Sequence, residues 1–425
     1  MENYYTNTVD KLILECIDKT ICFYDLIKKA VGIHPIEIVN SLARLRLKNL
    51  INENKYSTLL QSAAALPTEE VREYAKTLPI PHQIDYDWRF SENGKNYFVK
   101  FIDDWLSVNK GHAKIVFIGS PTLFRHYCNN SPYNAKIFLI DFNATKHTSK
   151  VSLPPYAHIV NCNLNYDLET EIKVEQIQAD IIVIDPPWYP EYYKKFFEIS
   201  NIVGSNQCTI VGVFPPFLTR DSILSERHEI NNYIQAFGFE DLKFESLAIE
   251  YYTPPFEKKV LYANEIVNFP LSFRRGDFFI TKRNHACSDE RKCVKIIIRN
   301  GGWTEKSVGI VRFKLRQSDV SEDSDFHIRL DSLYKNDIYP SVSRRFKGHE
   351  KINVWTSGNR VFYCSNIPML FLILEKLDDK NIISTLQDEY GELISDVQSI
   401  QIIEAQEIIQ LVVKAELEEY GEWYD

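Results

Sequence analysis

Methionine is almost absent from this chain of 425 residues: Met1 and Met369 are the two it has, which excludes a soft, Met-rich surface that adapts to many partners. Paired cysteines are missing as well. The 8 cysteines (Cys16, Cys22, Cys128, Cys162, Cys208, Cys287, Cys293 and Cys364) stand singly, with no C-x-x-C and no histidine cluster at zinc spacing. No metal site is expected, and the thiols read as reduced and mostly buried. An excess of positive charge is also lacking: 49 Lys and Arg against 58 Asp and Glu give a net charge of -9. That excludes a molecule coated in basic surface, but not a local basic face. No apolar run approaches the roughly 20 residues of a membrane span, and MENYYTNTVDKLILE has no basic-then-apolar leader. No membrane partner is expected, and the reading is cytoplasmic. Internal repeats and low-complexity tracts are absent too.

What remains is the composition of an ordinary globular protein, 44% hydrophobic and 25% charged, with length for two or three domains. Residues 1–62 read as a winged helix-turn-helix. Three stretches of helical spacing, VDKLILECI, FYDLIKKAV and HPIEIVNSLARLRLKNL, are followed by INENKYSTLLQ as a hairpin-like wing. The third predicted helix carries Arg44, Arg46 and Lys48. These suit phosphates if the helix enters a DNA groove, and are merely solvated if the module dimerises or presents substrate. Nucleic acid is therefore one expected partner, and a homodimer is a second open expectation.

Residues 63–112 read as a linker, with a helix starting at Thr68 and ending at Leu78-Pro79-Ile80-Pro81, and then an aromatic-rich approach segment. Over 113–284, short β-branched runs alternate with helical segments: AKIVFIG, AKIFLID, AHIVNC, ADIIVID, CTIVGVF, FESLAIEYYT and DFFITKR. The pattern predicts a Rossmann-like, doubly wound α/β sheet of seven strands. Residues 285–425 read as a separate α+β domain, with strands VKIIIRN and VGIVRFKLR, a hairpin around Ser357-Gly358 and two amphipathic helices.

In doubly wound sheets ligands bind beyond the carboxyl ends of the strands, so the residues ending each run carry the functional reading. The first run ends in Gly119, followed by Ser120-Pro121-Thr122. A glycine there lets the turn pass close under a cofactor, although a full G-x-G-x-x-G is missing. The second ends in Asp141, placed to accept hydrogen bonds from ribose hydroxyls, at the spacing from Gly119 expected of such a pair. After the third come Asn163 and Asp167, polar groups at the right place for an adenine amino group but also common turn residues.

The fourth run ends in Asp185-Pro186-Pro187-Trp188. Two prolines lock φ and remove two donors, leaving the Asp185 carboxylate and the Pro186 carbonyl as fixed acceptors for an amine substrate. An amine so held aims its lone pair away from them, and Trp188 is suited to stack on a planar target. Tyr189 directly after the motif, Phe214 and Phe217 at the end of the fifth run, Tyr252 and Glu257 at the end of the sixth, and Glu250 complete a candidate substrate cleft. Ser343-Arg344-Arg345 and Trp355 to Arg360 are a candidate anion site.

On its Asp-Pro-Pro-Trp run the chain resembles the amino-methyltransferases that use S-adenosylmethionine (SAM) and carry an Asp/Asn-Pro-Pro-aromatic motif on the fourth strand. The resemblance spans about residues 113 to 283. It implies that Gly119 and Asp141 hold SAM, that Asp185 and Pro186 orient the target nitrogen, and that Trp188 stacks. The layout of the first 285 residues or so also resembles branched-chain polyamine synthases. That implies aminopropyl transfer from decarboxylated SAM, in an acidic pocket. The chain instead has Ser120-Pro121-Thr122 and Trp188-Tyr189 at the places where such pockets are acidic. A third reading is a catalytically silent winged-helix regulator.

Overall fold

The computed structural model describes residues 4–65, 80–85, 88–109, 113–133, 135–141, 152–161, 177–283, 302–317, 326–343, 348–391 and 393–424. The expected helix at Thr68, the strand VKIIIRN, Asn163, Asp167, Arg344 and Arg345 lie outside them. The chain divides into two units. One comprises the N-terminal helices and the larger sheet; the other comprises Pro254–Ile266 and the C-terminal region together with residues 80–85.

The first unit begins with four helices, α1 (Tyr4–Ile17), α2 (Phe23–Lys29), α3 (Pro35–Leu47) and α4 (Glu53–Ala63). The wing expected at INENKYSTLLQ is α4. Asn52 caps it by accepting the Lys55 N–H at 2.7 Å, and Leu59 and Ala63, four apart, turn one face inward. The apolar period is therefore that of a helix, not the alternation a strand needs. The α3 cations are spent within this region. Arg44 and Lys48 pair with the buried Asp10 of α1 at 2.7 and 3.6 Å, and Arg46 pairs with Glu53 at 2.6 Å. The Ala63 carbonyl accepts the Val267 and Asn268 N–H groups, tying α4 to the unit that carries the sheet.

Next come α5 (Glu92–Val108), β1 (Lys114–Ile118), α6 (Pro121–Asn130), β2 (Lys136–Asp141), β3 (Ala157–Asn161), β4 (Ala179–Ile184), α7 (Pro190–Val203), β5 (Gly204–Phe214), α8 (Ile223–Ala236), β6 (Phe239–Tyr251) and β7 (Arg274–Arg283). The seven strands stand in the order β3-β2-β1-β4-β5-β7-β6. The first five are parallel, and β7 runs antiparallel to both β5 and β6. All seven expected runs are strands of this sheet, a Rossmann-like doubly wound fold. The central strands are apolar at nearly every position because both faces are covered. Ile115, Phe117, Ile137, Leu139, Ile181 and Val183 pack with α5 and α6, while Val116, Ile118, Ile140, Ile182 and Ile184 pack with α7 and α8.

The second unit contains α9 (Pro255–Ala263), β8 (Trp303–Val308), β9 (Val311–Arg316), β10 (Leu330–Ser332), β11 (Val354–Thr356), β12 (Val361–Cys364), α10 (Ile367–Glu375), α11 (Ile382–Tyr390) and α12 (Asp396–Tyr424). Its strands form an antiparallel sheet ordered β10-β12-β11-β9-β8. The turn from Trp355 to Arg360, read as an anion site, does hold an anion, the chain's own Glu416. The Gly358 N–H donates to it at 2.9 Å, Thr356 and Tyr420 also donate to it, and Arg360 reaches both Glu416 and Glu419. Its donors are occupied by the fold itself.

Candidate active site

Strand order reverses between β1 and β4, the place where a doubly wound sheet opens a crevice at its carboxyl edge. The register there is specific. Ile118 of β1 is opposite Ile140 of β2 on one side and Ile184 of β4 on the other. The residues that follow, Gly119, Asp141 and Asp185, therefore emerge side by side, on strands about 4.8 Å apart. The Gly119 N–H donates to the Ile140 carbonyl at 2.9 Å. Its φ is +63°, and a Cβ there would come within 2.8 Å of the Phe196 ring, so both the turn and the space require glycine.

Ser120 follows as the cap residue of α6. Its hydroxyl makes no capping bond, is 3% exposed, and has no hydrogen-bond partner. A buried hydroxyl left open at a helix N-terminus is suited to a polar ligand group. Asp141, half-buried, stands opposite Asn161 of β3. Gly119, Ser120 and Asp141 thus fit the amino-acid and ribose ends of a nucleoside cofactor.

Asp185 lies one strand over, among aromatic rings. Tyr251, from the end of β6, donates its hydroxyl to Asp185 Oδ1 at 2.7 Å, and its ring stacks on Phe90 at 4.8 Å. Burial pushes the Asp185 carboxyl up to about 7, with the Tyr251 hydroxyl pulling the other way. Trp188 meets Tyr251 edge-on at 5.9 Å. The turn that carries it is closed by the Tyr189 N–H on the Pro187 carbonyl at 2.6 Å, and Pro190 then opens α7. Arg220 donates to the Trp188 carbonyl, pairs with Glu226 at 2.9 Å and lies over the Tyr189 ring at 4.9 Å. A Cβ on Gly276 of β7 would overlap Val213 and reach Trp188 at 3.2 Å; the glycine makes room for the indole. Arg274 lies over Trp88 at 5.2 Å and over Trp188 at 5.7 Å, a cation held by two indoles.

The structure therefore groups Gly119, Asp141, Asp185, Pro186, Trp188 and Tyr189 on one edge, and adds Tyr251, Gly276, Arg274 and Trp88. Tyr251 was within an aromatic cluster visible in the sequence, but nothing local says that it, rather than its neighbour, faces Asp185. Tyr252 donates its N–H to the Arg89 carbonyl at 2.8 Å. Phe214 is a core ring, 1% exposed and packed on Tyr193, Phe244 and Phe279, not a cleft wall. Phe217 is 54% exposed, beneath the Arg227 guanidinium at 3.9 Å. Glu257 belongs to α9 of the other unit, where it is fully buried.

Glu250 is committed as well: it accepts from Ser91 and Ser272 hydroxyls and the Asn93 amide, and pairs with Arg275 at 3.1 Å. Glu250→Gln is expected to cost roughly 1–2 kcal/mol of stability, because hydrogen bonds to a charged acceptor are replaced by neutral ones. Thermal melting checks this; an unchanged melting temperature would deny Glu250 its structural role.

Residues 88–203 match the family model described as "Probable N6-adenine methyltransferase". The matched segment runs from Trp88 through the strand ends that carry Gly119, Asp141 and Asp185. No curated protein matches the chain. Among solved structures it is similar to the branched-chain polyamine synthase from Thermus thermophilus in complex with N4-aminopropylspermidine and 5′-methylthioadenosine. Identity is 8%, coverage is 65% of this chain and 87% of the other, and the TM-score is 0.46. For the C9 mutein of that enzyme the figures are 9%, 67%, 88% and 0.48. A SAM-dependent O-methyltransferase from Thermotoga maritima is similar at 14% identity, over 48% of this chain and 71% of the other, with a TM-score of 0.30. The family model names one of the two groups that the sequence resembles.

Proposed function

We propose that this chain is a SAM-dependent methyltransferase acting on an amine nitrogen of a planar acceptor such as a nucleobase. The observation that carries the reading is the row of Gly119, Asp141 and Asp185 on three adjacent strands at the switch point, with Asp185 bonded to Tyr251, whose ring Trp188 meets edge-on. SAM, when bound, supplies an electrophilic methyl group. Gly119 and Ser120 hold its amino-acid end, and Asp141 holds its ribose hydroxyls.

The Asp185 carboxylate and the Pro186 carbonyl accept the N–H groups of the acceptor amine, which leaves the nitrogen lone pair pointing away from both. Orientation of this kind supplies much of a transfer rate without any covalent role for the carboxylate. The Trp188 face restricts the acceptor to a flat group, and Asp185 or solvent takes the proton the methylated nitrogen sheds.

Charge weighs against aminopropyl transfer to a polyamine. Glu250, one of the glutamates offered for such a cleft, is tied up by three donors and Arg275. Arg274, over the Trp188 ring, adds a cation beside the motif instead. The amine partner this favours is neutral or attached to an anionic polymer, so nucleic acid enters the proposal as substrate at this edge.

Calorimetric titration tests the cofactor half. Micromolar binding of SAM and of S-adenosylhomocysteine is expected, with Asp141→Ala weakening both by roughly tenfold, the worth of one charge-assisted hydrogen bond. If neither binds the wild-type chain, the transferase reading fails.

A further inference from the structure

The turn that presents the acceptor groups cannot hold itself. From Pro186 to Pro190 three of the five residues are prolines, which have no N–H to donate and which fix φ while leaving ψ to rotate. Within the run, the Tyr189 N–H engages the Pro187 carbonyl at 2.6 Å. The next carbonyl, that of Trp188, is held from outside the run by Arg220.

Arg220 lies in the segment between β5 and α8, which is anchored along its length. The Thr219 N–H and hydroxyl donate to the Pro216 carbonyl at 3.1 and 2.7 Å. The Tyr5 hydroxyl of α1 donates to the Leu218 carbonyl at 3.3 Å, and the Ile223 N–H donates to the Arg220 carbonyl at 3.2 Å. The side chain is fixed as firmly. Its Nε donates to Glu226 Oε2 at 2.9 Å, its Nη2 donates to the same oxygen and to the Trp188 carbonyl, and the guanidinium lies over the Tyr189 ring at 4.9 Å. Glu226, in the first turn of α8, is itself buried and accepts the Ser222 hydroxyl at 2.6 Å.

One planar fork thus bridges a carboxylate on α8 and a carbonyl of the acceptor turn, a geometry that the point charge of a lysine does not reproduce. Glu226 balances the charge, so the guanidinium brings orientation to the turn and not net charge. Trp188 is held on two sides, its carbonyl by Arg220 and its indole in the space above Gly276 and against Tyr251. Of the carbonyls of Pro186, Pro187 and Trp188, the last two are engaged within the protein, and the first is the one the proposed mechanism uses.

We propose that Arg220 is a positioning residue for the acceptor: it locks the Trp188–Tyr189 peptide, and so keeps the Trp188 indole and the Pro186 carbonyl in the arrangement the acceptor amine needs. This rests on the transferase reading above. Arg220 acts through Trp188 and not on the reacting atoms. A displacement of about 1 Å is enough to slow a positioned reaction on the order of 10²-fold, so a hydrogen bond one step removed carries a large effect. The residues assigned to SAM follow β1 or end β2, so the loss falls on turnover and not on cofactor binding.

The test pairs calorimetry of SAM with methyl transfer to a single-stranded oligodeoxynucleotide containing adenine and cytosine, on the wild type, Arg220→Ala, Arg220→Lys and Arg220→Ala/Glu226→Ala. Arg220→Ala should lower turnover at saturating SAM by about 10- to 100-fold and leave SAM affinity within about twofold. Millimolar guanidinium, far below the range in which it unfolds proteins, should return part of that rate, and Arg220→Lys little of it. The double variant leaves no buried carboxylate unpaired, and it should be as slow as Arg220→Ala. In a chain labelled with fluorotryptophan, the Trp188 resonance, assigned through Trp188→Phe, should move or broaden in Arg220→Ala and return with guanidinium. An unmoved Trp188 resonance, a double variant restored to the wild-type rate, or SAM affinity lost in step with turnover overturns the positioning role while the transferase reading stands. A wild type that binds no SAM, or binds it and leaves the oligonucleotide unmethylated, defeats the function proposed above and the positioning role with it; the Trp188 resonance distinguishes that failure from the absence of the clamp.

Discussion

Asp185→Ala is expected to lower turnover by on the order of 10²- to 10³-fold while leaving affinity for SAM within about twofold, since the lost acceptor orients the acceptor amine and not the cofactor. Structure makes the separation feasible. Asp185 follows β4 and accepts from the Tyr251 hydroxyl, whereas the residues assigned to the cofactor follow β1, as Gly119 and Ser120 do, or end β2, as Asp141 does. Asp185→Asn is the sharper variant. It keeps the size of the side chain and one acceptor oxygen but has no charge and cannot take a proton, so it should fall between the wild type and Asp185→Ala. Single-turnover rates with saturating SAM, paired with calorimetry, distinguish the roles. A variant that loses SAM binding and keeps its rate at saturation would move Asp185 from acceptor orientation to cofactor binding and undo the proposed mechanism.

The parts of this site that were legible in the sequence are those encoded by neighbouring residues. A run of β-branched residues ending in glycine or aspartate announces a buried parallel strand and its carboxyl end, and Asp185-Pro186-Pro187 fixes its own backbone whatever surrounds it. The partners that tune the motif come from far along the chain: Tyr251 is 66 residues from Asp185, Arg274 and Gly276 are set by the pairing of β7 with β5 and β6, and Trp88 by the segment whose Phe90 bridges to Tyr251, none of which has a local signature. Gly276 illustrates the limit. A glycine in a strand suggests a close approach, but only the packed sheet shows that what approaches is the Trp188 indole.

The misreading of α4 has a different cause. INENKYSTLLQ begins with a turn-like Ile-Asn and has no long apolar stripe, so a hairpin matched it on composition; the Asn52 cap and the Leu59–Ala63 pair decide for a helix once α2 and α3 offer it a surface. The Trp355–Arg360 turn misled for the opposite reason. Its donors do bind an anion, but the anion is a glutamate more than fifty residues away in the same unit.

The raised Asp185 carboxyl makes the reaction pH-dependent in a direction that can be worked out. Burial favours the neutral acid, lifting the group from its ordinary 3.8 to about 7, and the proposed work of Asp185 needs the ionised form. Turnover should therefore rise with pH and level off above an inflection near 7, lying about 100-fold below the plateau at pH 5, where about one molecule in a hundred is ionised. The Tyr251 hydroxyl bond favours the carboxylate, so Tyr251→Phe, which keeps the ring on Phe90 and Trp188, should move the inflection upward by roughly 0.5–1 unit.

Stability follows the opposite sense. A folded-state pKa above the unfolded one means that the native chain binds the proton more tightly. This contribution is fully present below about 3.8 and is lost as pH rises through about 7. Asp185→Asn, which has no charge to bury, should accordingly gain melting temperature relative to wild type at pH 8 and show little gain at pH 4. An activity profile flat between pH 5 and 8, or a Tyr251→Phe inflection that stays put or falls, would show that Asp185 is ionised throughout and that its burial does not govern the reaction.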